Sequence, residues 1–585
     1  MRVMSRMPIC LLAVMSVGVS ACGSGTDPVR TFPIPGTRVA SPQTQIAFRG
    51  VPAGQVRNVV VRGSSTGVHA GGIEADSDGQ GASFIPAKPF APGEQVTVSS
   101  PLQVEGASRR TWRFTVATPA GAIPSQPLNA APRIPGDALS FSSRPDLTPP
   151  AVEVTRESPS TATGEIFLTP QQGPLQNGAM IVGPDGNLIW FHPVQKGDMA
   201  ADLRVQRYQG KPVLTWWQGY SGAGLGQGVD VIDDASYRTV AVVHAANGLE
   251  ADLHEFEITP RGTALLTAYY PIYWDASSIG GSKRQIVFDS VVQEIDIKTG
   301  LLLFQWDSLD HVPLNDSYEQ VPKSAGSPFD YFHVNSVDPD GEGNMIISGR
   351  NTWAAYNVDS SGRTTWQLGG KHSSFKLGSG ARFAFQHAVR TAADDHQTIT
   401  LFDNGAGPPP IHPQSRGLTL KLDRTTDTVT LLRSTIHSPS LLADFEGNVQ
   451  SLGSGNQMLG WGQQPYFTEY DPDGQIVFEG RFVDANSSYR AYRFRWTATP
   501  STQPSIAATT TSDTTTVYAS WNGATTVGSW RVLAGSTSTA LSTVATVPEE
   551  GFETEISIPA AGYVAIQAIA SDGRVLSTST TITPS

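Results

Sequence analysis

The sequence has little that could cross-link or charge the chain. Two cysteines occur in 585 residues. One of them, Cys10, lies in an apolar leader, so the mature chain keeps one cysteine and has no internal disulfide. Charged residues make up 16%, below the usual quarter. No stretch carries the apolar period of an amphipathic helix of several turns. After the leader, no run is long and apolar enough to span a bilayer. A net charge of −12 counts against a nucleic-acid partner, which favours a basic patch. No Gly-rich run ends in Gly-Lys-Ser/Thr, which argues against a phosphate-cradling loop. "GAGLGQG" (222–228) and "GSGNQMLG" (453–460) lack the strand–helix context and the lysine of a nucleotide site.

Glycine (58) and proline (42) are plentiful, as are serine and threonine. That mixture suits short strands and many turns. The first 22 residues read as a lipoprotein signal peptide. Arg2 and Arg6 precede the apolar "ICLLAVMSVGVS", and "VSAC" ends at Cys22 in the manner of a bacterial lipobox. The expected protein is exported and anchored at the cell envelope by lipid on Cys22. A plain signal cut nearby, giving a secreted or periplasmic protein, is the alternative.

Residues 23–37 form a Gly/Pro/Thr-rich tether. Alternating runs such as "TQIAFRG", "NVVVRG" and "RTWRFTV" predict an Ig-like β-sandwich over 38–118. A Pro-rich linker covers 119–160 and a second linker 499–514. The tail, 515–585, alternates again and reads as a small fibronectin-like sandwich. Between the linkers, 161–498 carries a weak repeat of strand, turn and apolar strand. Eight residues separate His254 from Gly262 and His333 from Gly341. The same step leads from His387 to Asp395 and from Asp202 to Gly210. Second strands then end in register at Trp217, Tyr269, Arg350 and Asp403. Roughly six such units, starting near 165, 202, 254, 333, 387 and 448, predict a six-bladed β-propeller as the catalytic domain. The whole chain is expected to be all-β, with a sandwich on either side of the propeller. A pair of large sandwiches is the rival fold.

In a hairpin, the start of one strand faces the end of the next. That puts Arg350 opposite His333, and Asn335, two residues on, shares the face of His333. If the first strands of the units line one axis, His254, His333 and His387 converge with Asn335 and Arg350 at one mouth. A single histidine at a strand start is ordinarily structural, but three in register point to a site. No carboxylate pair occupies these positions, which counts against glycosidase chemistry. Two readings remain: the histidines bind a metal, or they handle an oxyanion with one of them as nucleophile. A guanidinium suits an oxyanion better than a divalent metal.

"HEFEITPRGTALL", "DYFHVNSVDPDGEGNMIISGRN", "WQLGG" and "FQHAVR", in this order, resemble the bacterial arylsulfotransferases over most of 165–497. The resemblance implies an exported six-bladed propeller with an extra sandwich. Such an enzyme moves a sulfuryl group from a phenolic sulfate ester to another phenol, through a transiently sulfated histidine and without a nucleotide donor. It implies His387 as nucleophile, His333 and Asn335 as the His-x-Asn pair, Arg350 as the anion clamp and His254 as the remaining catalytic histidine. Tyr269, Trp353 and Trp461 are candidates to stack on aryl rings, and Asp403 or Asn404 to orient His387. No cofactor, metal or nucleic acid is expected; the partners are an aryl sulfate donor and a phenolic acceptor. The lack of a cysteine pair, the lipoprotein start and the C-terminal sandwich depart from the family pattern. A His-ligated metal-dependent oxygenase or hydrolase, and a non-catalytic surface binding module, are the alternative functions.

Overall fold

Aspartate side chains help to close the repeating hairpins. Between Val334–Pro339 and Met345–Gly349, Asp340 Oδ1 accepts the N–H of Glu342 at 2.8 Å and of Asn344 at 2.9 Å. Gly341 and Gly343 in that turn take φ of 76° and 102°, a region that glycine occupies without strain. Asp234 and Asp359 accept from the second and fourth residues after them in the same way. Such turns leave strand residues free to alternate, and the chain is all-β. The computed structural model describes residues 29–123, 130–173, 175–222, 224–392, 395–407 and 409–585. The expected leader and Cys22 lie outside the described residues. Among those residues, the α-helix is the four-residue Ser308–His311, and no helix is long and apolar enough to cross a membrane.

The middle of the chain is a succession of antiparallel sheets. Val334–Pro339, Met345–Gly349, Ala354–Val358 and Thr364–Gly369 pair in chain order. His387–Ala392, Asp395–Asp403, Arg416–Asp423 and Thr428–Thr435 do likewise, with Lys376–Leu377 outside them. Two earlier four-strand sets, starting at Met199–Tyr208 and Ala251–Ile258, are joined into one sheet through the Gly228–Ala251 pairing. Each sheet buries both faces. Ile346, Ala355 and Leu368 of one pack on Val389, Ile399 and Leu420 of the next.

First strands neighbour one another around a closed cycle. Met199–Tyr208 adjoins Ala251–Ile258, then come Val334–Pro339, His387–Ala392, Asn448–Ser451 and Ser488–Phe494, which returns to Met199–Tyr208. The unit expected to begin near 165 therefore lacks a first strand of its own. Ser488–Phe494, from the far end of the region, pairs with Glu165–Pro170 and supplies it. Closure covers an edge that would otherwise expose unpaired N–H and C=O groups. Two strands also lie where linkers were expected. Val152–Glu157 pairs outside Ile476–Phe482, and Ser505–Thr510 pairs with Thr514–Ser520. Both alternate too briefly to stand out among prolines and threonines.

Before this region, two four-stranded sheets share a core of Phe48, Phe84, Val96, Val98, Trp112 and Phe114. After it, a three-stranded and a four-stranded sheet share Val517, Trp530, Val532, Ile556 and Ile566.

Candidate active site

The three registered histidines meet. One ring nitrogen of each of His254, His333 and His387 lies within 4.8 Å of the others. The ring of His254 is centred 4.9 Å from that of His333 and 6.5 Å from that of His387. Each ring has its Nδ1 held by an oxygen, but the three oxygens differ.

His254 sits within Ala251–Ile258, two residues after Asp252 and so on the same face. Its Nδ1 donates to Asp252 Oδ2 at 2.6 Å. The same oxygen accepts the His254 backbone N–H and the Thr267 hydroxyl, and Oδ1 accepts the Gly226 N–H at 2.6 Å. Burial pushes the Asp252 carboxyl up, but the imidazole and these donors outweigh it and hold the group below its ordinary value.

His333 lies just ahead of its strand with φ of 56°, a left-handed conformation that costs a non-glycine residue about 1 kcal/mol or more. Its Nδ1 donates to Asp330. Burial lowers the imidazole's pKa, and Asp330 opposes the shift only in part.

His387 opens His387–Ala392 and is buried. Its Nδ1 donates to Asn404 Oδ1 at 2.8 Å. The Asn404 amide is oriented by its own N–H groups, which donate to the carbonyls of Ala443 and Glu446, both at 3.0 Å. Nε2 therefore carries the lone pair, and it accepts the Glu446 backbone N–H at 3.2 Å. Burial, then Arg350, then His254 and His333 push the imidazole well below 6.5, so it is neutral. Of the two candidates to orient it, Asn404 does so. Asp403 instead accepts from the Ala384 N–H and from Arg416.

Arg350 follows Met345–Gly349 and faces His333 as expected, its backbone N–H donating to the His333 carbonyl at 2.9 Å. Its guanidinium donates to Asn351 Oδ1 at 2.7 Å and the Asp444 carbonyl at 2.9 Å, and lies 4.8 Å from the Phe385 ring. Its Nε is buried without a partner. Among the described residues no carboxylate pairs with it within 4.0 Å.

Asn335 reaches the site by a different route from simple alternation. A bulge falls between Val334 and Ser336, because left-handed His333 breaks the period of two. Asn335 Nδ2 donates to the carbonyl of Gln386, next to His387, and its buried Oδ1 has no partner. Tyr269 stands beside two of the imidazoles, its ring 6.0 Å from His254 and 5.9 Å from His333, with its hydroxyl committed to the Val334 carbonyl. Trp353 is less available for stacking than expected. Tyr318 lies flat on it at 3.6 Å, and Phe385 meets it edge-on. Trp461 is packing: it meets Phe402 edge-on and donates to Thr468.

Sequence reasoning missed Asp252, Asp330, Glu446 and Arg490. The aspartates carried a signal, since each precedes a registered histidine by two or three residues. Glu446 is placed by a left-handed turn with no such mark, and burial raises its carboxyl to about 7. Arg490 lies beneath the histidines. It donates to Asp202 at 2.9 Å and to the carbonyls of His254 and Asn335 at 2.9 and 3.0 Å. Glu255 also pairs with Arg490, and with Arg204 at 2.7 Å. A cavity of about 1050 Å³ lies farther along these strands, against Arg204, Glu257, Arg390 and Tyr492, and does not include the histidines.

The model of the arylsulfotransferase (ASST) family matches residues 204–483. No curated relative matches the chain. Among solved structures, the chain is similar to a Bacteroides caccae protein of unknown function, at 13% identity and TM-score 0.35, over 56% of this chain and 98% of that one. It is similar also to the periplasmic gluconolactonase PpgL of Pseudomonas aeruginosa, at 13% identity and TM-score 0.31, over 68% and 99%. Virginiamycin B lyase from Staphylococcus aureus follows at 9% and 0.27, over 63% and 94%.

Proposed function

Because residues 204–483 belong to the arylsulfotransferase family, we propose that this chain moves a sulfuryl group from a phenolic sulfate ester to a phenolic acceptor through a sulfated His387, with no nucleotide donor. The observation that carries the reading is a neutral, amide-backed imidazole beside two carboxylate-backed ones and a guanidinium that has no carboxylate partner among the described residues. The cycle of first strands supports a six-bladed propeller over 161–498. The paired sheets at either end support sandwiches over 38–118 and 515–585. Export and lipid attachment at Cys22 complete the proposal, with substrates reaching the pocket outside the cytoplasm.

Sulfuryl transfer, like phosphoryl transfer, passes through a loose transition state with charge on the peripheral and leaving oxygens. His387 Nε2 attacks sulfur in line as the bond to the aryl oxygen breaks. Arg350, Asn335 and His333 hold the sulfonyl oxygens, and the Glu446 N–H, freed from Nε2, donates to one of them. His254 or His333 gives a proton to the departing phenolate. The acceptor phenol then attacks the sulfo-imidazole and releases free His387. Tyr269 supplies an aromatic wall for the ring. The test is to mix the protein with a chromogenic aryl sulfate, without cofactor or acceptor, and map the modified peptide. Sulfate on His387 is expected; sulfate on another side chain overturns the nucleophile assignment.

The close approach of three oxygen-backed imidazoles also favours a second reading, a divalent metal centre. The nearby Arg350 charge and the Glu446 N–H on the His387 lone pair count against it. A stoichiometric metal, essential for turnover in the purified protein, decides for the metal.

A further inference from the structure

Two of the three imidazoles carry carboxylates, and the two carboxylates are built differently. Asp252 is fully buried and accepts four hydrogen bonds: from His254 Nδ1, the His254 N–H, Thr267 and Gly226. Three strands thus fix it. Asp330 is 23% exposed, lies in the segment ahead of a strand, and leaves one oxygen without a partner. The bases also differ in their surroundings. His333 accepts the Arg350 N–H on its carbonyl and has the Arg350 charge acting on its ring. His254 is enclosed by Tyr269 and Tyr489, and its carbonyl is held by Arg490.

We infer that Asp252 is a positioning residue that makes His254 the proton carrier of the cycle, and that His333 serves the sulfonyl oxygens beside Arg350. The inference rests on the sulfuryl-transfer reading and names which histidine moves the proton. Asp252 fixes the proton of His254 on Nδ1 and stabilises the imidazolium that forms when Nε2 also takes one. In the first half-reaction the S–O bond to the donor's aryl oxygen breaks and the S–Nε2 bond to His387 forms. The Nε2 proton of the His254 imidazolium passes to that aryl oxygen, and the donor phenol leaves. In the second half, neutral His254 takes the acceptor phenol's proton as its oxygen bonds to sulfur and the S–N bond breaks. The proton count returns to its starting value, and no other reactant is needed.

A proton donor matters most for a leaving group that departs badly on its own. The experiment therefore compares two donors on one sample: a nitrophenyl sulfate, whose phenolate leaves readily, and unsubstituted phenyl sulfate. The ratio of the two rates does not depend on the folded fraction. Asp252→Asn is expected to lower the nitrophenyl rate by less than about tenfold and the phenyl rate by about 10²-fold or more. His254→Ala should show the same widening. Asp330→Asn should lower both rates by one common factor. Wild-type protein that transfers from neither donor sinks the sulfuryl-transfer reading itself. Active wild type with an unchanged ratio in Asp252→Asn, or a widened ratio in Asp330→Asn instead, overturns the role of Asp252 alone.

Discussion

Two arginines sit one above the other at the hub of the strand cycle and have opposite surroundings. Arg490, in the lower layer, is enclosed by Asp202, Glu255 and two backbone carbonyls. Arg350, in the upper layer, meets a neutral amide, one carbonyl and the face of Phe385, and among the described residues no carboxylate lies within 4.0 Å of it. The lower layer satisfies its charges internally and so can only hold strands together. The upper layer leaves a positive charge beside His333 and His387, whose imidazoles burial disfavours in the charged form, an arrangement completed by an incoming anion.

The sharpest way to break this contrast is to remove one residue from each layer. His387→Ala should lower turnover by at least about 10⁴, the scale of losing a nucleophile, with the thermal transition close to wild type. Arg490→Met should do the reverse in kind. It leaves Asp202 and Glu255 with only Arg204 and Arg390 to balance them in the interior and is expected to cost about 3–5 kcal/mol in denaturant unfolding. If Arg490→Met is as stable as wild type, the lower layer is not the structural one.

Arg350→Ala comes next. It should lower kcat/KM for an aryl sulfate by about 10²–10³, by analogy with lost oxyanion donors. Because among the described residues no carboxylate pairs with Arg350, its loss strands no buried charge there, and the unfolding midpoint should hardly move. A large loss of stability would place Arg350 with Arg490.

The upper layer was the legible one. His254, His333 and His387 each stand a fixed eight residues before a turn position, so hairpin geometry alone brought them and Arg350 to one end of their sheets. Tyr269 lies at the same register, and its ring stands beside that of His254. The lower layer was hidden, since Arg490 enters on a strand whose partner, Glu165–Pro170, is more than three hundred residues away. No local pattern encodes a pairing at that separation. Asn335 was found for an incomplete reason. Alternation put it beside His333, but left-handed His333 and a bulge set its direction. Trp353 failed as an open stacking face because Tyr318, which covers it, lies outside the registered strands. The aspartates behind His254 and His333 are readable in "DLH" and "DYFH", where a carboxylate stands two or three residues ahead of a registered imidazole and can reach its far nitrogen.

The smallest effect expected on turnover comes from Glu446, whose backbone serves His387 while its carboxyl does not. That carboxyl is buried, Oε2 has no partner, and burial raises it from 4.5 to about 7. A folded-state value above the unfolded one means that the unfolded state gives up its proton first as pH rises. The stability attached to the group is therefore complete below pH 4.5 and is lost as pH climbs through about 7. Glu446→Gln keeps the neutral shape and removes the titration. Relative to wild type it should gain about 3 kcal/mol at pH 8 and almost nothing at pH 4, read as the difference between two denaturant curves at each pH. Taking that difference cancels the histidines, whose lowered values act in the opposite direction below pH 6.5. Turnover at neutral pH should change less than about threefold, since the N–H that faces His387 remains. A rate loss on the scale of Arg350→Ala would instead mean that the carboxyl itself reaches the reacting atoms, and that the upper layer holds an anion of its own.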